Sequence, residues 1–495
     1  MKILLASSEV VPFSKTGGLA DVCGALPVAL AGAGQQVAVI TPAYRSALAS
    51  GQPITATGVE LEIPLGSRVV RGQILESRLP GSSVPVYLVY QPDYFDRPAL
   101  YGEKGQDFRD NSERFIFFSR AVLEAIRLLE LDIDVLHAND WQTGLVPAYL
   151  DVEYRAAPRF ENIASVFTIH NLAYQGSFWH WDMLLTGLDW KYFNWHQMEC
   201  FGQVNLMKTG IVFADQITTV SPTYAQEIQS APLGCGLEGA LSTRRDVLAG
   251  VINGVDYREW DPQTDLHLPR NYGQNDWSAG KSLCKAALQQ ELGLPVRDNV
   301  PLVGFIGRLV SQKGLDLIEP VLAQRLERDD TQWAFLGSGS PEYEQSLRQF
   351  AARFPEKFAV KLEFSNPLAH RIEAASDIFL MPSLYEPCGL NQMYRLKYGA
   401  VPLVRATGGL ADTITDTRDD SLVAGTANGF SFDNYTPPAL DETLTRAVSA
   451  WRQKDIWSRI VETAMAQDWS WNASASRYVE LYRQTLARRR EAIGV

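Results

Sequence analysis

Short apolar runs alternate with segments of helical spacing along almost the whole chain, and they do so in two separate blocks. In the first block the runs at 2–6, 36–41, 135–137 and 164–169 are separated by helical patterns from Gly18, over 111–131 and from Thr143. In the second, runs at 302–306, 333–336, 359–364, 378–381 and 401–404 alternate with helical patterns from Gly314, over 342–354, over 368–375 and from Leu390. Alternation of this kind builds a mostly parallel sheet wrapped by helices, so the spacing predicts an α/β protein with two doubly wound, Rossmann-like domains facing a central cleft. An insertion at 59–63, 69–79 and 84–90 alternates residue by residue, as antiparallel strands do, and belongs at a sheet edge. The expected domains are 1–253, a polar linker at 254–280, a second domain at 281–472, and a terminal helix at 473–495. That helix carries an apolar stripe (Tyr478, Leu481, Tyr482, Leu486) and can pack back on the first domain.

At 495 residues the chain exceeds what one hydrophobic core fills, which agrees with two domains. Its net charge of −12 argues against coating nucleic acid or an anionic membrane, because both reward clustered Lys and Arg. The first residues, Met1 to Ala6, are too short an apolar run for a signal peptide and end at Glu9. No stretch approaches the roughly eighteen apolar residues of a membrane helix. Five scattered cysteines without a Cys-x-x-Cys pair fit a reducing compartment, so the expected location is the cytoplasm, or a plastid-like compartment in a photosynthetic eukaryote.

The hexamer Thr-Gly-Gly-Leu-Ala-Asp occurs twice, at Thr16 to Asp21 and at Thr407 to Asp412. Each copy follows a strand-like run and opens a helical pattern, the arrangement in which backbone N–H groups meet an anion. Lys15 precedes the first copy and sets an ammonium beside Gly17 and Gly18, while Asp21 either reads a hydroxyl or caps the helix. In the second block Arg308 follows a strand and Lys313 opens the next helix, a pair of cations able to neutralise a diphosphate leaving group. Glu386-Pro387-Cys388-Gly389-Leu390 also lies between strand and helix. There Glu386 can hold sugar hydroxyls or stabilise positive charge at an anomeric carbon, and Cys388, with no histidine partner in view, reads as packing. His170 and Asp140-Trp141 end strands of the first block, and an Asp beside a Trp suits a sugar. The aromatic-rich stretch 178–201 is compatible with a carbohydrate surface. No His-x-x-x-His, dinucleotide fingerprint or Walker sequence is present, so no metal and no cofactor is expected.

Taken together, Lys15 to Val22, the run from Ile169-His170-Asn171 to Tyr174-Gln175-Gly176, Thr219 to Ala225, Gly307-Arg308 to Lys313-Gly314, Glu386 to Leu390 and Thr407 to Asp412 resemble the bacterial glycogen synthases and plant starch synthases in order and spacing. The resemblance spans nearly the whole chain. It implies a GT-B fold and retaining transfer of glucose from ADP-glucose to the non-reducing end of an α-1,4-glucan. By match to the family, His170, Glu386, Arg308, Lys313 and Asp140 are the expected catalytic group. The donor set is Lys15, Gly17, Gly18, Asp21, Asn253, Arg308, Lys313, Phe364, Cys388, Gly389, Leu390, Thr407, Gly408 and Gly409. Asp140, Trp141, Asn171 and Tyr174 are expected near the acceptor. The sequence departs from the family at Phe364, where a tyrosine is frequent, at Asn139, where a second histidine is frequent, and in the Trp-rich loop 177–185. UDP-glucose in place of ADP-glucose, a short acceptor, and a nucleotide-sugar-binding regulator without catalysis are the alternatives. Oligomeric state is not legible. With no appended carbohydrate-binding segment in view, affinity for polymer is expected from the catalytic lobes or from surface sites.

Overall fold

The computed structural model describes residues 1–493, so the last two residues of the expected terminal helix lie outside the described part. The chain divides into two compact units: Met1–Gly254 together with Trp471–Val495, and Val255–Ser470.

The first unit is built on a nine-stranded sheet. Its strands are β1 (Lys2–Ala6), β2 (Gln36–Pro42), β3 (Thr55–Leu65), β4 (Arg68–Arg78), β5 (Pro85–Tyr90), and, after a small hairpin of β6 (Gly102–Glu103) and β7 (Gln106–Asp107), β8 (Val135–Asn139) and β9 (Ala164–Ile169). A separate three-stranded sheet of β10 (Ser177–Trp179), β11 (Glu199–Cys200) and β12 (Gln203–Asn205) precedes β13 (Gln216–Thr219) and β14 (Leu248–Gly250). The large sheet runs β14-β13-β9-β8-β1-β2-β5-β4-β3. From β14 to β5 every pairing is parallel, and only β4 and β3 turn antiparallel, at the edge. The central strands are buried on both faces, so they do not alternate apolar and polar: β1 is apolar after Lys2, and the polar side chains of β8 and β9, His137, Asn139, Ser165 and Thr168, are hydrogen-bonded inside the unit. The terminal helix, Trp471–Ile493, packs on this unit: Tyr478, Leu481, Tyr482 and Leu486 join its core beside the helix Gly18–Gly32.

The second unit holds β15 (Leu302–Ile306), β16 (Gln332–Leu336), β17 (Phe358–Lys361), β18 (Ile378–Met381), β19 (Val401–Arg405) and β20 (Phe430–Phe432). They form a fully parallel sheet in the order β17-β16-β15-β18-β19-β20. Each unit therefore winds outward from a central strand in both directions, the Rossmann order. The strand order reverses between β1 and β8 in the first unit and between β15 and β18 in the second. In such sheets a ligand crevice opens outside the carboxyl ends of the strands at that reversal.

The polar stretch 254–280 is not a loose linker. Trp260 lies stacked between His370, 3.8 Å away, and Tyr394, 4.3 Å away. Asp265 accepts a hydrogen bond from Tyr398 (2.6 Å) and lies 2.7 Å from His370 Nδ1, and the Tyr272 hydroxyl donates to the Tyr398 carbonyl at 2.8 Å. Asp265 and Tyr272 are buried and paired inside the second unit, while others such as Arg258, Gln263 and Arg270 face water, and its last residues already form the helix Trp277–Leu292.

Candidate active site

At the β1/β8 reversal the first unit gathers Glu9, Lys15, the Thr16–Gly18 turn, Asp140 and, from neighbouring β9, His170. Asp140 directly follows β8 with φ 58° and ψ 178°, a conformation costing a non-glycine residue about 1–3 kcal/mol. It is held there because its N–H donates to the Thr168 carbonyl (2.9 Å) and its carboxylate accepts the His170 N–H (2.8 Å). The enclosed site raises its pKa to about 7, an effect that the backbone N–H groups of His170 and Asn171 oppose and nearby Glu9 reinforces.

His170 is kept neutral, its pKa lowered to about 3 by burial. Its Nε2 lies 2.9 Å from Asn139 Oδ1, and the Asn139 amide nitrogen donates elsewhere, to the Ala6 and His137 carbonyls. Nε2 therefore carries the proton and Nδ1 is the acceptor. His137 has a structural role instead, spanning Thr168 Oγ1 (2.6 Å) and the Tyr482 hydroxyl (2.8 Å) to tie the sheet to the terminal helix.

The first hexamer differs from its sequence reading. The Gly17 N–H, expected with that of Gly18 to face a bound anion, donates to the buried carboxylate of Glu9 at 3.2 Å, as does the Thr16 N–H at 2.5 Å. The same carboxylate also accepts the Thr16 hydroxyl (2.6 Å) and the Tyr101 hydroxyl (2.7 Å). The turn thus carries an internal anion, and Glu9 is a site residue the motifs did not single out. Its position just past the end of the central strand, the criterion that selected Asp140 and His170, was the available signal. Nor does Asp21 cap the helix; it pairs with Lys15 Nζ at 2.6 Å on the surface. Trp141 packs against Phe115, Phe178 and Tyr101, with centroids 5.0, 5.7 and 6.4 Å away. Asn171 Oδ1 accepts the Ala173 N–H, and the Tyr174 ring, 60% exposed, is open to solvent. Asn253 follows the edge strand β14 and is not brought to the β1/β8 reversal; its Oδ1 is buried without a protein partner.

At the β15/β18 reversal the second unit gathers Arg308, Lys313 and Glu386. Lys313 Nζ lies 2.5 Å from Glu386 Oε2, which also accepts the Ser383 hydroxyl at 3.1 Å. Arg308 is exposed and reaches Gln312 Oε1 at 3.1 Å. Here the second hexamer shows its purpose. Gly409 N–H donates to the Glu386 and Pro387 carbonyls, both at 3.1 Å. A Cβ on Gly408 would lie 2.1 Å from the Glu386 carbonyl oxygen, and one on Gly409 would lie 1.7 Å from that of Cys388. The two glycines therefore let the Glu386 to Leu390 loop press onto the start of a six-residue helix, Gly408–Thr413. They form a packing seat, and Gly409 N–H is committed to it. Gln392, also passed over by the motifs, locks the seat: its Nε2 donates to the Cys388 carbonyl (3.1 Å) and to Thr413 Oγ1 (3.2 Å), and Thr413 in turn donates to the Gly409 carbonyl (2.6 Å). Cys388 is buried, Gly389 sits at φ 63°, and Leu390 begins the helix Asn391–Tyr398. Phe364, just past edge strand β17, is 92% exposed with its ring open for stacking.

Known proteins resemble this chain over nearly all its length. The family described as starch synthase catalytic domain matches residues 2–243, and glycosyl transferases group 1 matches residues 289–462. A glycogen synthase of Rhodopirellula baltica is 46% identical, with 98% of each chain covered, and one of Anaeromyxobacter dehalogenans is 49% identical, covering 98% of this chain and 99% of its own. The chain belongs to the glycogen and starch synthase family. As in other members of this glycosyltransferase family, its two Rossmann-like domains make a GT-B fold. The catalytic domain of starch synthase IV from Arabidopsis thaliana, solved bound to ADP and acarbose, superposes with a TM-score of 0.86 at 33% identity, covering 98% of this chain and 99% of its own. Among the described residues, no helix of this glycogen and starch synthase family member is long and apolar enough to cross a membrane.

Proposed function

We propose that the protein transfers glucose from ADP-glucose to the non-reducing end of an α-1,4-glucan, with retention of configuration. The observation that carries this reading is the Lys313–Glu386 pair at the sheet reversal of the second unit, beside exposed Arg308. Paired with Lys313, the Glu386 carboxylate is a fixed negative charge suited to a glucosyl group gaining positive charge at its anomeric carbon. Arg308 and Lys313, with Lys15, are assigned to the donor's phosphates.

In the reaction the anomeric C–O bond to the diphosphate breaks and ADP leaves with the electron pair. The acceptor 4-hydroxyl oxygen bonds to the same face of the sugar, and its proton passes to the departing diphosphate oxygen. No protein nucleophile is required, so the enzyme's work is positioning and neutralisation. Exposed Phe364 is assigned to stacking on adenine, the backbone from Cys388 to Leu390 and at Thr407 and Gly408 to the donor, and Asp140, Trp141, Asn171 and Tyr174 to the acceptor. Neutral His170 is suited to a hydrogen bond with the transferred sugar. With no disulfide among the described residues, the cysteines support a reducing, cytoplasmic setting.

The test is the kinetics of R308A and K313A. Each should lower kcat for ADP release in the presence of glycogen by roughly 10²–10³-fold, as expected for loss of one preorganised charge donor. R308A should leave the Tm unchanged because the side chain is exposed. Near-normal turnover in both variants would remove the assigned roles.

A further inference from the structure

Apart from Phe364, every exposed large aromatic side chain among the described residues lies between Tyr174 and Phe201. The centre of this group is a run of three indoles: Trp179 is 63% exposed, Trp181 49% and Trp190 40%. Their rings touch in sequence, Trp179 to Trp181 at 6.5 Å and 67°, then Trp181 to Trp190 at 5.5 Å and 79°. Phe193 extends the run at 5.4 Å from Trp190, and His180 bridges its two ends, 5.6 Å from Trp179 and 6.4 Å from Phe193. The local fold explains why the rings face water. β10 is an edge strand paired only with β12, so Phe178 turns inward onto Trp141 while Trp179 turns outward. The short turns His180–Asp182 and Trp190–Tyr192 then raise the other two indoles beside it.

A contiguous exposed aromatic patch marks a binding surface. We propose that Trp179, Trp181 and Trp190 form a docking platform for a glucan chain, separate from the residues assigned to catalysis. The proposal rests on the glucan-acceptor reading above and adds a place where the polymer is held. Two features favour a sugar polymer as the occupant. The steep angles between successive indoles offer ring faces in changing directions, which suits a helical chain of pyranose rings, each with an apolar C–H face, better than a flat apolar protein surface. The polar groups of His180, Asp189 and Lys191 are interleaved with the rings, as a rim of hydroxyls needs. Charge points the same way: a chain carrying −12 repels a second copy of itself and an anionic membrane, but not an uncharged polysaccharide.

The full-length protein and the variant W179A/W181A are compared in two assays: retardation in native gels containing glycogen, and elongation of maltotriose with ADP-glucose. The variant should need roughly tenfold more glycogen for the same retardation, the scale of losing aromatic hot spots, while elongating maltotriose at the wild-type rate. Unchanged retardation would overturn the proposal. Unchanged retardation with a change in molecular mass by light scattering would assign the surface to self-association instead. Retardation requires no turnover, so a wild-type protein that bound glycogen through these tryptophans but elongated nothing would refute the transferase reading alone.

Discussion

Asp140 shows how a single residue's surroundings can be turned into a measurement. Its carboxyl ionises near pH 3.8 ordinarily and about pH 7 in the folded chain, raised by burial. Between those values the folded state keeps a proton that the unfolded state has released, so folding loses stability as the pH rises from about 4 to about 7. An asparagine can accept the same His170 N–H but cannot ionise. D140N should therefore gain on the wild type across that window, by about 1–3 kcal/mol given that the side chain keeps some contact with solvent. Thermal melts of both proteins through the window check this, and a Tm difference that does not vary with pH would contradict it. Glu9 is the residue-scale lesson in what sequence conceals. Nothing in the run Ser7-Ser8-Glu9 announces that its carboxylate would fold back onto the Thr16 and Gly17 N–H groups, because that contact depends on how tightly the intervening loop closes.

The two hexamers are the clearest comparison between elements. Their identical letters suggested a shared anion-binding role, and the structure gives them different ones. Gly17 is extended (φ −156°), and a Cβ there would meet nothing within 4 Å; its counterpart Gly408 sits at φ 45° with the Glu386 carbonyl 2.1 Å from where a Cβ would lie. G17A should change stability by no more than about 0.5 kcal/mol. G408A should lower the Tm and, by displacing the Glu386 loop, reduce kcat roughly 10²-fold. Equal Tm changes in the two variants would contradict this account. The same contrast marks how far elements were legible. Central strands such as β1 and β15 announced themselves, because burial on both faces forces apolar runs without alternation. The three-residue β20 carries too little pattern to stand out, and 254–280 looked like a linker because polarity does not tell an exposed side chain from one paired internally, as Asp265 is with Tyr398. The site followed suit: strand-end position picked out Asp140, His170, Arg308 and Glu386, whereas Gln392 acts through contacts with a loop and a helix that no local pattern encodes.

At the scale of the whole molecule, the chain leaves its first unit after Gly254 and returns at Trp471, so the terminal helix completes the core of the unit in which the chain began. Both units share the Rossmann strand order, and each gathers charged site residues at its own reversal point, Glu9, Lys15 and Asp140 in the first and Arg308, Lys313 and Glu386 in the second. That duplication and family membership over 98% of the chain support the reading carried by the Lys313–Glu386 pair, of a glucosyltransferase with a donor and an acceptor to accommodate. The most direct test is to incubate the full-length protein with ADP-glucose and glycogen, quantify ADP, and determine the configuration of the newly formed linkage by NMR. The account predicts one ADP released per glucose added and new α-1,4-linked residues at non-reducing ends. A β-configured product, or no glycogen-dependent ADP release, would contradict it.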